Sequence, residues 1–178
     1  MASHRSGSIP FPNDSTPTVS SNSDTQYTPL TTAPTAASEV WDGRVYSVPW
    51  PESTYNIIDT ASGRVIGLDK NNYLQLDDIK EDIGSLHKWL CVEKGGYFGF
   101  LNVSTGKYMG HDNHGSMCAV ASRQAGWELM MPRKRPDGGY DLLVPGRQET
   151  MNKLCVAENK LHIVLRQHGI TAWEFVRI

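Results

Sequence analysis

The sequence has little of what many functional classes require. It contains three cysteines and no Cys-x-x-Cys motif, which argues against a disulfide framework, a zinc ribbon or a redox motif. The formal net charge is −2, from 17 basic and 19 acidic residues, so nucleic acid and membrane surfaces are not expected as partners. No apolar run reaches the ~18 residues that cross a bilayer, and the first residues contain no apolar stretch long enough to predict a signal peptide. We therefore expect a cytoplasmic protein.

Catalytic and cofactor motifs are also missing. The chain has no Gly-x-Ser-x-Gly and no phosphate-binding glycine loop, which argues against the common hydrolases and nucleotide-binding proteins. No amphipathic helix of useful length is visible either. We expect no resident cofactor and no helical bundle.

The N-terminal part has the composition of a disordered tail. Residues 1–38 are more than half Ser, Thr and Pro and contain few large apolar side chains, so ordering this segment would cost more entropy than burial returns. At Val40-Trp41 short β-branched and aromatic runs begin to alternate with Gly, Asn and Asp turns. The sequence therefore predicts a disordered tail over residues 1–40 and one domain over residues 45–178.

An internal repeat dominates that domain. A shift of 43 residues places residues 57–69 on residues 100–112, which aligns Gly63 with Gly106 and Asp69 with Asp112. A fainter third copy appears at a further shift of 46, where Trp173 falls on Trp127. Three copies of about four strands predict a closed, all-β architecture, because a single copy cannot bury its apolar face alone.

Each copy ends in a Trp that lies two residues before another apolar residue. Since alternate residues of a strand share a face, each Trp and its neighbour should point into one common core. The three pairs are Trp89 with Cys91, Trp127 with Leu129 and Trp173 with Phe175.

These motifs carry a family resemblance. The Ser/Thr-Gly-Lys/Arg turns, the Gly-x-Asp hairpins and the closing Trp-Glu-Phe of residues 173–175 resemble small single-domain fungal β-trefoils of the fascin-like and ricin-B-like superfamily. The resemblance implies a β-trefoil of three pseudo-repeats. The Gln-x-Trp of ricin-type lectins is absent, because His87, Ala125 and Thr171 precede the three Trp residues by two positions.

Departures from the repeat indicate candidate site residues. His111 stands where the other copies have Leu68 and Ala157, and an imidazole in an apolar slot can donate hydrogen bonds or transfer protons near neutral pH. Asp112 and His114 complete a polar cluster beside it. We expect no metal there, because Asp112 recurs at the same hairpin as Asp69 and is explained by turn chemistry.

Two further residues join the predicted site. His87 is a second candidate acid or hydrogen-bond donor, and Trp50, held extended between two prolines, is a candidate lid at the barrel opening. The catalytic candidates are thus His111 and His87, and the ligand-binding candidates are Trp50, Asp112 and His114.

Two classes of function remain open. One is a pocket for a small, largely apolar organic ligand, in which the resemblance implies a cofactor-free cyclase of the hetero-Diels-Alder type from fungal natural-product biosynthesis, acting by proximity and polarisation. The alternative is a non-catalytic module that binds a carbohydrate, actin or a protease through surface loops. A cavity beside Trp50 favours the first class, whereas a filled barrel with exposed aromatic and amide groups favours the second.

Overall fold

The computed structural model describes residues 39–41, 44–79, 84–146 and 150–178, so the predicted tail lies outside the described residues except for its end. Two short strands come first, and three copies of four strands follow. The strands are β1 Glu39–Trp41 and β2 Arg44–Tyr46; β3 Thr54–Asp59, β4 Val65–Leu68, β5 Leu74–Asp77 and β6 Trp89–Lys94; β7 Tyr97–Asn102, β8 Lys107–His111, β9 Met117–Ala121 and β10 Met131–Lys134; β11 Tyr140–Pro145, β12 Met151–Val156, β13 Ile163–Arg166 and β14 Trp173–Arg177.

The first and fourth strands of each copy close into a six-stranded barrel. Antiparallel pairing runs from β3 to β6, β7, β10, β11 and β14 and returns from β14 to β3, with β7 reaching β10 through a bridge between Phe98 and Met130. Closure leaves these six strands without an open edge. The short strand β2 adds to this ring by pairing with β14.

The second and third strands of each copy form three hairpins that cap the barrel. Each hairpin donates a backbone hydrogen bond to the next, in a cyclic order that follows the pseudo-threefold repeat. The three bonds run from Leu76 N to Leu161 O at 2.8 Å, from Ala119 N to Asn72 O at 2.8 Å and from Leu165 N to Gly115 O at 3.2 Å. A six-stranded barrel capped by three hairpins is the β-trefoil, and the predicted fold class is confirmed.

Apolar side chains fill the interior. Alternate apolar residues of the first and third strands of each copy are buried or pack against the core, among them Tyr55, Ile57, Phe100 and Leu142. Phe175 lies at the centre of an aromatic group, with its ring stacked on Phe100 at 5.6 Å between centroids. The three cysteines are buried and unpaired. In the part of the chain that the structure describes, no helix combines the length and apolar character that a membrane span needs.

One predicted core residue lies on the surface instead. Trp89 and Trp173 are fully buried, but the side chain of Trp127 is 48% exposed and belongs to the 3₁₀ turn Gly126–Glu128 rather than to a strand. Met130 fills the third position, because it pairs with Phe98 as Trp89 pairs with Tyr55 and Trp173 with Tyr140. The prediction for Trp127 was therefore wrong, and its neighbour Leu129 is only half-buried.

The third copy is also in a different register from the one that the sequence alignment suggested. His111 pairs with Met117 across its hairpin as Leu68 pairs with Leu74 and Val156 with Ile163. The third counterpart of His111 is thus Val156, not Ala157. The interpretation that His111 occupies an otherwise apolar position is unaffected, because Val156 is apolar as well.

Candidate ligand-binding site around Trp127

The 3₁₀ turn Gly126–Glu128 presents the indole of Trp127 to solvent. Its geometry is fixed by Glu128, whose Oε2 accepts a hydrogen bond from the backbone N of Ala125 at 3.0 Å. The turn lies directly on strand β8, where a Cβ on Gly110 would come within 3.0 Å of the carbonyl oxygen of Trp127. Only glycine at position 110 allows this approach, so the local sequence determines where the indole emerges.

His111 supports one face of that indole. The two rings are stacked with centroids 5.3 Å apart and planes inclined by 29°. The imidazole Nδ1 lies 2.9 Å from the backbone oxygen of Asp112, and because a carbonyl only accepts, Nδ1 carries the proton. In the neutral ring Nε2 is then an acceptor that is available to a ligand.

The hairpin that follows His111 holds its polar groups by turn chemistry. Asp112 Oδ1 accepts hydrogen bonds from the backbone N of His114 at 2.8 Å and of Ser116 at 2.9 Å. Asp69 makes the same pair of contacts in the first copy, to Asn71 and Tyr73. Asp112 therefore shapes the loop and leaves the exposed side chains of Asn113 and His114 at its tip.

Trp127 lines two surface clefts. One has a volume of about 590 Å³ and includes His111, the hairpin tip, Asn152, Leu129 and Leu165. The other has a volume of about 510 Å³ and is lined by Ser122, Arg123, Glu128 and three alanine or glycine residues. Both clefts contain Gly126 and Trp127, so they adjoin at this turn.

The structure brings three of the five predicted site residues together. His111, Asp112 and His114 line the larger cleft. Trp50 is 67% exposed, and its backbone rather than its ring is held, by a 2.9 Å hydrogen bond from Trp50 N to the hydroxyl of Tyr55. Trp50 and His87 line neither of these clefts, nor a third of about 210 Å³ where the cap hairpins meet.

His87 takes part in a link between strand β5 and the 3₁₀ turn Ser85–His87. Its Nε2 lies 2.9 Å from Asp77 Oδ2, and its Nδ1 lies 3.2 Å from the backbone oxygen of Gly84. Gln75 donates to the other oxygen of Asp77 at 2.8 Å. A Cβ on Gly67 would lie 2.3 Å from Asp77 Oδ2. This packing indicates a structural cluster in the first copy, separate from His111 in the second.

The described residues contain no group of three or more His, Cys, Asp or Glu side chains placed to hold a metal ion. In the cluster of residues 111–114, the Nδ1 of His111 and one oxygen of Asp112 are already engaged by backbone groups. What remains accessible is an aromatic face, an imidazole Nε2 and side-chain amides. Such groups bind a neutral polar ligand by stacking and hydrogen bonds.

Solved structures of other proteins are similar to the domain that carries this site. The first similar structure, a GlcNAcα1-4Gal releasing endo-β-galactosidase from Clostridium perfringens, has a TM-score of 0.61 at 15% identity, over 71% of this chain and 32% of that one. The chain thus spans about a third of that protein. The match with the Macrolepiota procera ricin B-like lectin in complex with lactose has a TM-score of 0.58 at 14% identity, over 73% and 98% of the two chains.

A third similar structure is the Polyporus squamosus lectin bound to the epitope Neu5Acα2-6Galβ1-4GlcNAc. Its TM-score is 0.58 at 13% identity, over 72% of this chain and 50% of that chain. No family model and no curated protein matches the sequence. At these identities the likeness shows the β-trefoil fold alone, and the site must be judged on its own residues.

Proposed function

We propose that this protein is a carbohydrate-binding β-trefoil that holds a sugar ring against the exposed face of Trp127. The exposed indole is the observation that carries the proposal. One of its faces is covered by His111 and nearly half of the side chain remains open. A sugar ring has an apolar C–H face, and an exposed aromatic ring supplies a matching apolar area with polar groups at its edge.

The surroundings of Trp127 supply the polar contacts that orient a sugar. Asn113 and Asn152 carry amides that both donate and accept, and His111 Nε2 accepts in its neutral form. All three lie in the same cleft as the indole. An apolar platform with a few convergent polar groups is the usual composition of a small-ligand site.

Two of the similar structures are lectins with bound saccharides, one with lactose and one with a sialylated trisaccharide. They support the carbohydrate alternative, although their sites are not transferred to this chain residue by residue. The absent Gln-x-Trp motif does not oppose the proposal, because the site rests on a different Trp from the buried ones.

The same geometry gives less support to cyclisation chemistry. His87 and His111 belong to different repeats, and of the three clefts described among the placed residues none is lined by both histidines and none by Trp50. The predicted pocket for an apolar ligand would need apolar side chains along its walls. The large apolar side chains of the domain are instead packed together in the core. Cyclase activity, a fungal source and a cytoplasmic location stay predictions of the sequence.

A glycan array followed by titration of the best ligand tests the proposal, with lactose as the first candidate. We expect Trp127→Ala to weaken binding about tenfold or more, since loss of ~1.4 kcal/mol corresponds to that factor. Trp127→Phe keeps an aromatic face and should retain most of the affinity. Ile170→Ala is the control, because Ile170 is also exposed on the loop before its copy's last strand.

Three results would overturn the proposal. The first is the absence of binding to any glycan on the array. The second is wild-type affinity in Trp127→Ala. The third is a loss of affinity in Trp50→Ala with none in Trp127→Ala, which would return the site to the residue that the sequence had predicted.

A further inference from the structure

We propose that the smaller cleft beside Trp127 binds the acidic group of a glycan, so that this protein prefers sugars bearing a carboxylate or a sulfate ester. This inference rests on the proposed function and concerns the same platform. Its evidence is separate, however, because it comes from charged residues at the smaller of the two clefts that contain Trp127, which His111 does not line.

Arg123 is the central residue of this argument. It lines the smaller cleft, is exposed, and forms no ion pair with any carboxylate in the described part of the chain. Arg64 and Arg177 likewise have no ion pair among the described residues, but neither lines this cleft. Arg133, Arg135 and Arg166 each contact an acidic partner. An unpaired guanidinium in a cleft is available for the bidentate contacts that it makes with carboxylates and sulfate-like anions.

Two lysines raise the positive charge at the same loop. Lys107 Nζ donates to Ser122 Oγ at 2.7 Å, and Ser122 is itself a wall of the cleft. Lys94 Nζ donates to the backbone oxygen of Gln124 at 2.9 Å. Both lysines are hydrogen-bonded to neutral groups, so within the described residues neither charge is cancelled by a paired carboxylate. Two lysines therefore contact the residues on either side of Arg123 in the short loop of residues 122–124.

The one acidic residue of the cleft does not neutralise Arg123. Glu128 is 7% exposed, its Oε2 is bonded to the backbone N of Ala125, and its Oε1 faces the backbone at Gly110. Its carboxylate is thus directed into the fold. The outward charge of the cleft is that of Arg123, assisted by Lys107.

The two clefts adjoin at the proposed sugar platform. Since both contain Trp127 and the smaller one contains Arg123, a substituent of a sugar stacked on the indole lies within reach of Arg123 when it extends into the smaller cleft. A terminal acidic sugar attached to a stacked galactose has this arrangement. The sialylated epitope Neu5Acα2-6Galβ1-4GlcNAc, seen on one of the similar lectins, is the natural probe.

The test compares three probes on the full chain: this sialylated trisaccharide, neutral Galβ1-4GlcNAc and a 6′-sulfated form of the disaccharide. We expect the wild type to bind an acidic probe at least about fivefold more tightly than the neutral one. Arg123→Gln should remove that preference and leave the neutral probe's affinity within about twofold. High salt should reduce the preference as well. Arg177→Gln is the matched control, since it removes the same charge from an exposed residue that lines neither cleft.

The outcomes separate the two proposals. A preference carried by the sialylated probe, the sulfated probe or both supports the inference and identifies the source of the anion. Equal affinity for all three probes, or a preference that survives Arg123→Gln, overturns it while Trp127→Ala still abolishes binding. If Trp127→Ala has no effect on any probe, the proposed function fails first.

Discussion

Asp141 on strand β11 shows how a single buried charge can be balanced by several partners. Its carboxylate is 6% exposed and lies 2.8 Å from Arg133, 3.1 Å from Lys153 and 3.6 Å from Arg135. Burial alone would raise the pKa of this carboxyl, but the hydrogen bonds from Arg133 and Lys153 outweigh burial and lower it. Arg133 and Arg135 are therefore engaged in the fold through this buried carboxylate.

The lowered pKa predicts a pH-dependent contribution to stability. Asp141→Asn should reduce the free energy of unfolding by about 1–3 kcal/mol at neutral pH, because three cations lose their common partner. A depressed folded-state pKa stabilises above the ordinary aspartate value of about 3.9, and the contribution disappears as the pH falls through the lower folded value. Urea unfolding from pH 7 down to pH 3 should show the difference between variant and wild type shrinking only below about pH 4.

Asp137 provides the control for this experiment. It pairs with Arg135 at 2.7 Å but is mostly exposed, and exposed ion pairs contribute little. Asp137→Asn should therefore leave stability almost unchanged. A loss as large as that of Asp141→Asn would show that the effect is one of net charge rather than of the buried contact.

At the level of elements, the 3₁₀ turn Gly126–Glu128 is where sequence and structure diverge. Trp127 follows the aligned Asp112 by 15 residues, whereas Trp89 follows Asp69 by 20. The third copy removes this difference as a signal, because Trp173 also follows Glu158, the residue aligned with Asp112, by 15 residues and is nevertheless buried. A Trp-x-apolar pattern has the same local appearance in a strand and in a turn, so the pattern alone does not determine where the indole points.

The strand pattern was more predictable than the site. Alternating apolar residues such as Leu74 and Leu76 identified the inner faces correctly, because burial on one face imposes a period of two. The candidate site depended on pairs that are distant in sequence. Neither the contact of Asn152 with the Trp127 cleft nor the unpaired state of Arg123 leaves a local trace, because both follow from how the copies pack together.

The assignment of Met130, rather than Trp127, to the core of the second copy makes a prediction about stability. Met130→Ala should destabilise the fold by about 2–5 kcal/mol, since Met130 is fully buried and its removal leaves a cavity. Trp127→Ala should cost no more than about 1 kcal/mol, because it removes a half-exposed ring and one stacking contact. Chemical denaturation of both variants tests this order. If Trp127→Ala lowered the free energy of unfolding more than Met130→Ala, Trp127 would be a core residue and would not form the proposed binding platform.

At the level of the whole molecule, the core cluster found among the described side chains lies within the three repeats. The fully buried cluster extends from Tyr55 to Phe175, and the cap hairpins connect the copies in a closed cycle. Every copy therefore depends on both others, and the domain should unfold cooperatively. The boundaries predicted from composition, with a tail over residues 1–40 and a domain over residues 45–178, remain predictions.

A chain that begins at Glu39 tests those boundaries. Because the residues before β1 have a composition that is poor in core-forming side chains, their removal should change the melting temperature by less than about 2 °C. Circular dichroism and calorimetry of the shortened and full chains provide the comparison. A decrease of more than about 5 °C would mean that the segment contributes to the folded domain.

In the second copy Met130 occupies the core position that a Trp fills in the other two copies. This difference affects the number of glycans that one chain can bind. The loops that precede the last strands of the other two copies expose Leu86 and Ile170, whose aliphatic side chains have no ring for a sugar to stack on. A scaffold with threefold symmetry thus offers a single aromatic platform of this kind on its described surface. Under the proposed function, one chain on its own should bind one glycan through this platform and should not cross-link two glycans. Such a protein would coat a glycosylated surface rather than agglutinate cells.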